Sequence, residues 1–248
     1  MGVLSSIVDR SISGSLSSNV FSIGNYAFYE CRGLTSVSFP VATSIGNGAF
    51  YECRGLTEIT DEFFPVVTSI GQYAFYNCSS LTSVSFPVAT SLGYQSFYNC
   101  SELTSVSFPV AISIGSSAFQ SCSKLTSVSI PKATSIDSSS FNSCSSLTEV
   151  SIPNATSIGS GAFQECSSLT EVSIPKATDI VGYAFYYCSN LTTIYVGTNT
   201  STVCTLSSTG AFDGCTKLAN IYVPSSLVDS YKSATNWSSY ASKIKAMP

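Results

Sequence analysis

Histidine is absent from the 248 residues. That removes the Ser-His-Asp and Cys-His forms of nucleophilic catalysis and every zinc site built on imidazole. Charge is scarce as well: charged residues make up 10% of the chain and the net charge is −4, so no basic field exists to hold nucleic acid or an anionic membrane surface. Long apolar runs are also missing. Hydrophobic residues reach 44%, but in short runs broken by Ser and Thr, none near the roughly 18 residues of a membrane-spanning helix. Neither nucleic acid nor membrane insertion is expected, and no metal, cofactor or catalytic group. The opening MGVLSSIVDR has neither the cationic head nor the apolar core of a secretory signal, so an export signal is expected outside this chain if one is used. Gly2 with Ser6 matches a loose acylation pattern that an ordinary apolar edge explains equally well.

What is present is a beat. Leucine returns at Leu34, Leu56, Leu81, Leu103, Leu125, Leu147, Leu169, Leu191 and Leu218, at intervals of 22 residues except for one of 25 and one of 27. Phenylalanine keeps the same phase from Phe28 and Phe50 to Phe185 and Phe212, each followed three residues later by a cysteine, from Cys31 to Cys215. Self-similarity of this period is the mark of a solenoid, in which each unit buries its apolar face only against its neighbours.

One unit reads as one coil. In Leu34-Thr35-Ser36-Val37-Ser38-Phe39-Pro40, Val37 and Phe39 alternate with serines, the period-two pattern of a half-buried strand. Pro40, repeated as Pro65, Pro87, Pro109, Pro131, Pro153, Pro175 and Pro224, has no amide hydrogen for a ladder and ends the strand. On the return path, Ala49, Phe50 and Cys53 suit a short helical turn facing inward, and Gly46 is expected to permit the bend before it. Ile12 to Leu16 looks like a degenerate first strand over the exposed edge. After Pro224 the spacing of Leu227, Val228, Tyr231, Ala234, Trp237, Tyr240 and Ile244 predicts two short helices, over 226–234 and 237–245, with Ser225 or Ser226 as N-cap. The expected domains are an N-terminal edge segment (1–22), the solenoid (23–224) and a helical C-terminal cap (225–248).

The unit L-T-x-V-x-[F/I]-P-x-A-T-x-I-G-x-x-A-F-x-x-C runs from Leu169 to Cys188 with Val181 at the glycine position. It resembles the BspA-type leucine-rich repeat of bacterial surface proteins. The closing Tyr222-Val223-Pro224 through Lys245, with Thr235-Asn236-Trp237 inside, is similar to the tail of such arrays. The resemblance implies an α/β repeat solenoid, a right-handed coil stack with one parallel β-sheet face, a short helical or irregular opposite face and a helical C-terminal cap. It also implies adhesion to host proteins or other cells; related arrays occur in protozoan surface proteins and in tail or fibre proteins of gut bacteriophages. The departures are Gly197 at a proline position, the insertion 197–210 with the tenth cysteine Cys204, and Asp61-Glu62-Phe63.

The recurring cysteines are expected to be reduced, buried small hydrophobes, because in-register neighbours would hold their Cβ atoms near ~4.8 Å, beyond a relaxed disulfide. Cys204, in the insertion, is the one whose reactivity is left to test. On the strand face the outward residues are mostly Ser and Thr, Thr60 among them. Variation enters at Glu58, Glu149 and Glu171, then at Thr193, Tyr195, Asn220 and Tyr222. Glu149 and Glu171, at one site in consecutive coils, could share a cation or act as an acid pair; two solvated carboxylates in duplicated sequence are the plainer alternative. A second ladder, Tyr29, Tyr51, Tyr76 and Tyr98, gives way to Gln120, Asn142 and Gln164 and returns at Tyr186. Stacked tyrosines offer area for protein or sugar contacts, or simply support the convex surface ring on ring. Glu30 with Arg32 and Glu52 with Arg54 are expected as solvated ion pairs.

The expected function is a non-catalytic binding module for adhesion or receptor recognition. It would contact a protein or glycan through the strand face and the C-terminal tyrosines, outside the cell on a bacterial surface or a virion. A structural spacer is the alternative, since LTSVSFPVAT stands at both 34–43 and 81–90. A polysaccharide-cleaving enzyme using Glu149 and Glu171 is the remote one.

Overall fold

A computed structural model describes residues 3–4, 13–197 and 201–248. The chain winds as a parallel-strand β-solenoid of about ten turns, with one α-helix near the C-terminus. The L-T-x-V-x-F segments form the expected strand face, with Val37, Val84, Val128 and Val172 turned inward and the flanking serines, or Glu171 beside Val172, outward. Its ladder comes in three stretches. Ser13–Ser17 pairs Gly33–Ser38, with a register shift between Gly14 and Ser15; Glu58–Ile59, Ser83–Ser85 and Ser105–Ser107 follow; a six-stranded stretch runs from Ser127–Ser129 to Ile244–Ala246.

The sequence pattern did not reveal a second sheet, which is the more continuous of the two. The Ser-Ile pairs of the return path form two-residue strands, such as Ser44–Ile45 and Ser69–Ile70, stacked into a ten-stranded parallel sheet from Val3–Leu4 to Thr205–Leu206. Gly46 serves that stacking rather than a bend. A Cβ there would lie 2.7 Å from the backbone nitrogen of Asn25, and one on Gly71 would lie 2.6 Å from the carbonyl carbon of Gly46.

The Ala-Phe-x-x-Cys segment is not a helix. Its amides alternate between two destinations: Tyr26, Phe28 and Glu30 donate to the next coil (Asn47, Ala49 and Tyr51 carbonyls, 2.7–2.8 Å), while Ala27, Tyr29 and Cys31 donate three residues back. This alternation needs left-handed backbone twice per coil, at Tyr26 and Glu30, Tyr73 and Asn77, Gln95 and Asn99, and onward to Tyr183 and Tyr187. Every second amide is thereby spent on the neighbouring coil, so the convex side is also held coil to coil.

Inside, Phe28, Phe50, Phe75, Phe97, Phe119, Phe141, Phe163, Phe185 and Phe212 stack with centroids 5.0–5.6 Å apart and planes within 10°. A second file, Phe39, Phe64, Phe86 and Phe108, packs obliquely on it and continues as Ile130, Ile152 and Ile174. Threonine hydroxyls add a file of bonds to the preceding coil, as from Thr104 to the Thr82 carbonyl at 3.0 Å.

The C-terminal end departs from two helices. A 3-10 turn Ser225–Leu227 leads into the helix Val228–Ser233, without a serine side-chain cap. Residues 237–245 are not a helix: Asn236 takes φ +62°, Trp237–Tyr240 is a 3-10 turn, and Ile244–Ala246 is a strand parallel to Asn220–Val223. The last repeat strand has an open edge whose amides need acceptors, and the tail provides them, as Ile221 donates to Lys243 at 2.9 Å. Tyr231 and Trp237 are fully buried, Trp237 packing on Phe212 and Tyr231 edge-on against Trp237.

Candidate functional site

Parallel in-register pairing carries each outward position of one coil to the same place on the next. Ser127 pairs Glu149, Ser151 pairs Ser173, and Glu171 pairs Thr193, which in turn pairs Asn220. Glu149 and Glu171 therefore stand side by side on adjacent strands, both exposed, and line an open groove of about 730 Å³ floored by Ser, Thr and Val side chains. Like charges opposed in this way repel, so an occupant that brings cationic or hydrogen-bond-donating groups is favoured there. Glu58 is exposed too, but lies on a different stretch of the ladder, opposite Ser83.

Beside the groove, Ser173 pairs Tyr195 and Tyr195 pairs Tyr222. Their rings stack at 5.1 Å, half-buried. Partial burial raises the Tyr195 hydroxyl pKa, with Glu171 and Tyr222 adding to it. Thr193, expected on the open surface, is only 8% exposed and accepts a hydrogen bond from the Asn220 amide at 3.3 Å. Asn220 is itself engaged on its other side by the Lys245 ammonium. The tail strand reaches this corner and covers it, which the repeat pattern alone could not show. Thr60 likewise departs from the outward ladder, its hydroxyl oxygen being buried without a partner.

The tyrosine ladder of the convex side forms as expected. Tyr29, Tyr51, Tyr76 and Tyr98 stack at 5.0, 4.6 and 4.9 Å with planes within 17°. Face-to-face stacking uses up the ring faces, so what these half-buried residues show to solvent is mainly edges and hydroxyls. Burial raises the Tyr51 and Tyr76 pKa values, and neighbouring ladder tyrosines raise them further. Arg32 bridges Glu30 and Glu52 at 3.3 and 2.9 Å, and Arg54 joins Glu52 at 3.0 Å, so the expected ion pairs connect across coils.

Tyr183 and Tyr187 were not singled out from the sequence, yet they are among the most exposed aromatic side chains, at 51% and 52%. Each sits at a left-handed position with a glycine of the following coil, Gly210 or Gly214, against its ring. The signal is legible at Tyr26, whose ring covers Gly48 one period later. At Tyr183 the insertion stretches the interval to 27 and hides it.

All ten cysteines are unbridged and buried. Cys204, whose reactivity the sequence left open, is no exception: it is 1% exposed and burial pushes its pKa up to about 12. Its amide donates to the Tyr231 hydroxyl at 2.9 Å and its carbonyl accepts from the Trp237 indole at 2.7 Å, so the insertion is bolted under the cap. Among the described residues, no three Cys, Asp or Glu side chains converge as a metal-binding group, and no helix is long and apolar enough to cross a membrane.

The pattern of the BspA type leucine rich repeat region matches the chain in six copies over residues 11–112, 44–155 and 134–245. Among solved structures, a leucine-rich repeat protein from Bacteroides ovatus is 20% identical over 96% of this chain and 85% of its own, with a TM-score of 0.47. A leucine rich cell surface protein from Faecalibacterium prausnitzii is 21% identical over 92% and 82%, with a TM-score of 0.49. A leucine rich repeat protein of T. pallidum is 28% identical over 62% and 63%, with a TM-score of 0.42. No curated protein sequence matches significantly. With its repeats matched over nearly the whole length, the chain belongs to the BspA-type leucine-rich repeat family.

Proposed function

We propose that the protein is a non-catalytic binding module that recognises a protein or glycan on a target cell, carried on a bacterial surface or a virion. The observation that carries this is the open groove over Ser127 to Ser173, with Glu149 and Glu171 along it and the Tyr195/Tyr222 stack beside it. A shallow groove on a parallel sheet suits an extended ligand laid across strands, and half-buried tyrosines supply rigid amphipathic area at little entropic cost. Nothing in the groove combines a nucleophile with a histidine base, since the chain has no histidine. The test is a screen of the purified chain against immobilised glycans and host proteins. Tyr195→Ala with Tyr222→Ala should weaken an established interaction at least tenfold; undiminished binding would remove this site. Turnover of a polysaccharide that Glu149→Gln abolishes would instead establish an enzyme.

A spacer is the second reading, favoured by the identical segments 34–43 and 81–90, which wind into equivalent coils. It predicts that deletion of one 22-residue unit from the intact parent protein preserves its activity.

A further inference from the structure

Of the tyrosines on the convex side, those in the Tyr29-to-Tyr98 file cover one another's faces, whereas Tyr183 and Tyr187 are covered from beneath by backbone. A Cβ on Gly214 would come within 2.8 Å of Cγ and Cδ2 of Tyr187, and one on Gly210 within 3.1 Å of Cε1 of Tyr183. Only glycine lets a main chain lie this close to a ring, so both rings rest on the following coil while about half of each remains open to solvent. Between them, Tyr186 meets Tyr183 edge-on at 5.4 Å and Tyr187 at 4.5 Å, fixing a three-ring patch. Asp213 of the next coil is exposed, accepts the Tyr187 amide hydrogen on its own carbonyl at 2.7 Å, and acts electrostatically on the Tyr186 hydroxyl.

We propose that Tyr183, Tyr186 and Tyr187, with the Asp213 carboxylate beside them, form a glycan-binding platform on which neutral pyranose rings stack. This rests on the binding-module reading, names glycan as the partner class, and moves the contact from the strand face to the convex side. A sugar presents an apolar C–H face and a rim of hydroxyls. It needs a flat ring held still, with a carboxylate close by to accept from those hydroxyls. A protein hot spot needs further apolar neighbours to exclude water around the aromatic anchor. Those neighbours are elsewhere: the exposed aliphatics Val41, Val66, Val88, Val110 and Ile112 lie at the opposite bend and in the N-terminal half of the rod.

The experiment measures binding of the whole chain to immobilised neutral oligosaccharides (gluco-, galacto-, manno- and xylo-configured) and, separately, to host proteins. Tyr183→Asn with Tyr187→Asn removes both faces while keeping residues that tolerate left-handed backbone, so the fold is retained. Oligosaccharide binding should fall at least tenfold, while Tyr187→Phe, which keeps the ring, should bind within about twofold. Tyr195→Ala with Tyr222→Ala is measured in parallel, and oligosaccharide binding lost with that pair alone would place the sugar on the strand face instead. No oligosaccharide bound by the unsubstituted chain, or loss only with the strand-face pair, overturns the platform; the first outcome leaves a protein-binding strand face standing, and the second makes the strand face the glycan site.

Discussion

Cys122 donates its thiol hydrogen to the carbonyl oxygen of Phe97, one coil earlier, across 3.2 Å. The same oxygen also accepts the amide of Cys100 at 3.4 Å, so the thiol occupies the second lone-pair site of a buried carbonyl. The relationship recurs from Cys53 on Phe28 (3.0 Å) to Cys215 on Phe185 (3.0 Å). Cysteine suits the position because it is small, apolar enough for the core and still a donor.

Cys122→Ala should therefore cost more than lost volume, about 1–2 kcal/mol in urea denaturation. Cys122→Val, which restores bulk without the donor, should recover only part of it. Full recovery would assign the ladder to packing alone.

Alkaline pH should unfold the protein through these thiols. Burial pushes Cys100 and Cys144 up to about 12 from 9.0. Above the lower value the unfolded chain releases protons that the folded one retains, so stability is fully present below about pH 9 and lost as pH rises toward 12. Urea midpoints between pH 7 and 10.5 check this, and a flat profile would contradict it. A thiol reagent at pH 8 should label none of the ten cysteines until denaturant is added.

Phe119→Ala should cost about 3–5 kcal/mol, as it opens a cavity between two stacked rings in mid-rod. Tyr76→Ala, on the half-buried outer file, should cost clearly less. Equal losses in thermal melts would mean the two files share the load.

Backbone constraints predict opposite signs at two kinds of position. Gly93→Ala should destabilise by about 1–3 kcal/mol, because its Cβ would lie 2.6 Å from the carbonyl carbon of Gly71. Ser121→Gly, where φ is +64°, should stabilise by relieving left-handed strain, by up to about 1 kcal/mol. Chemical denaturation of both variants decides.

Trp237→Phe keeps a ring but loses the indole bond to the Cys204 carbonyl. A cost of about 1–3 kcal/mol is expected, with Cys204 becoming the first thiol labelled in peptide mapping. Labelling that begins at another cysteine would show that the cap does not guard the insertion.

The solenoid, its register, the inward Phe, Leu and Cys files, and the buried reduced state of the recurring cysteines follow from the sequence, because a 22-residue beat allows only neighbouring coils to bury those side chains. The side-by-side placement of Glu149 and Glu171 follows for the same reason. The second sheet did not show, since a two-residue Ser-Ile strand is too short for alternation to register. The left-handed positions did not show either: Tyr26, Glu52, Asn77, Gln95 and Ser121 share no residue type.

The periodic apolar residues thus determined the architecture from the sequence alone, because burial between identical layers has one solution whatever the loops do. Tertiary structure alone decided which surface groups are open. Thr193 is closed over by Asn220, Cys204 by Tyr231 and Trp237, while Tyr183 and Tyr187 are left half uncovered on glycine. Exposure depends on what the next coil and the tail lay across each residue, and those contacts span intervals that no repeat encodes.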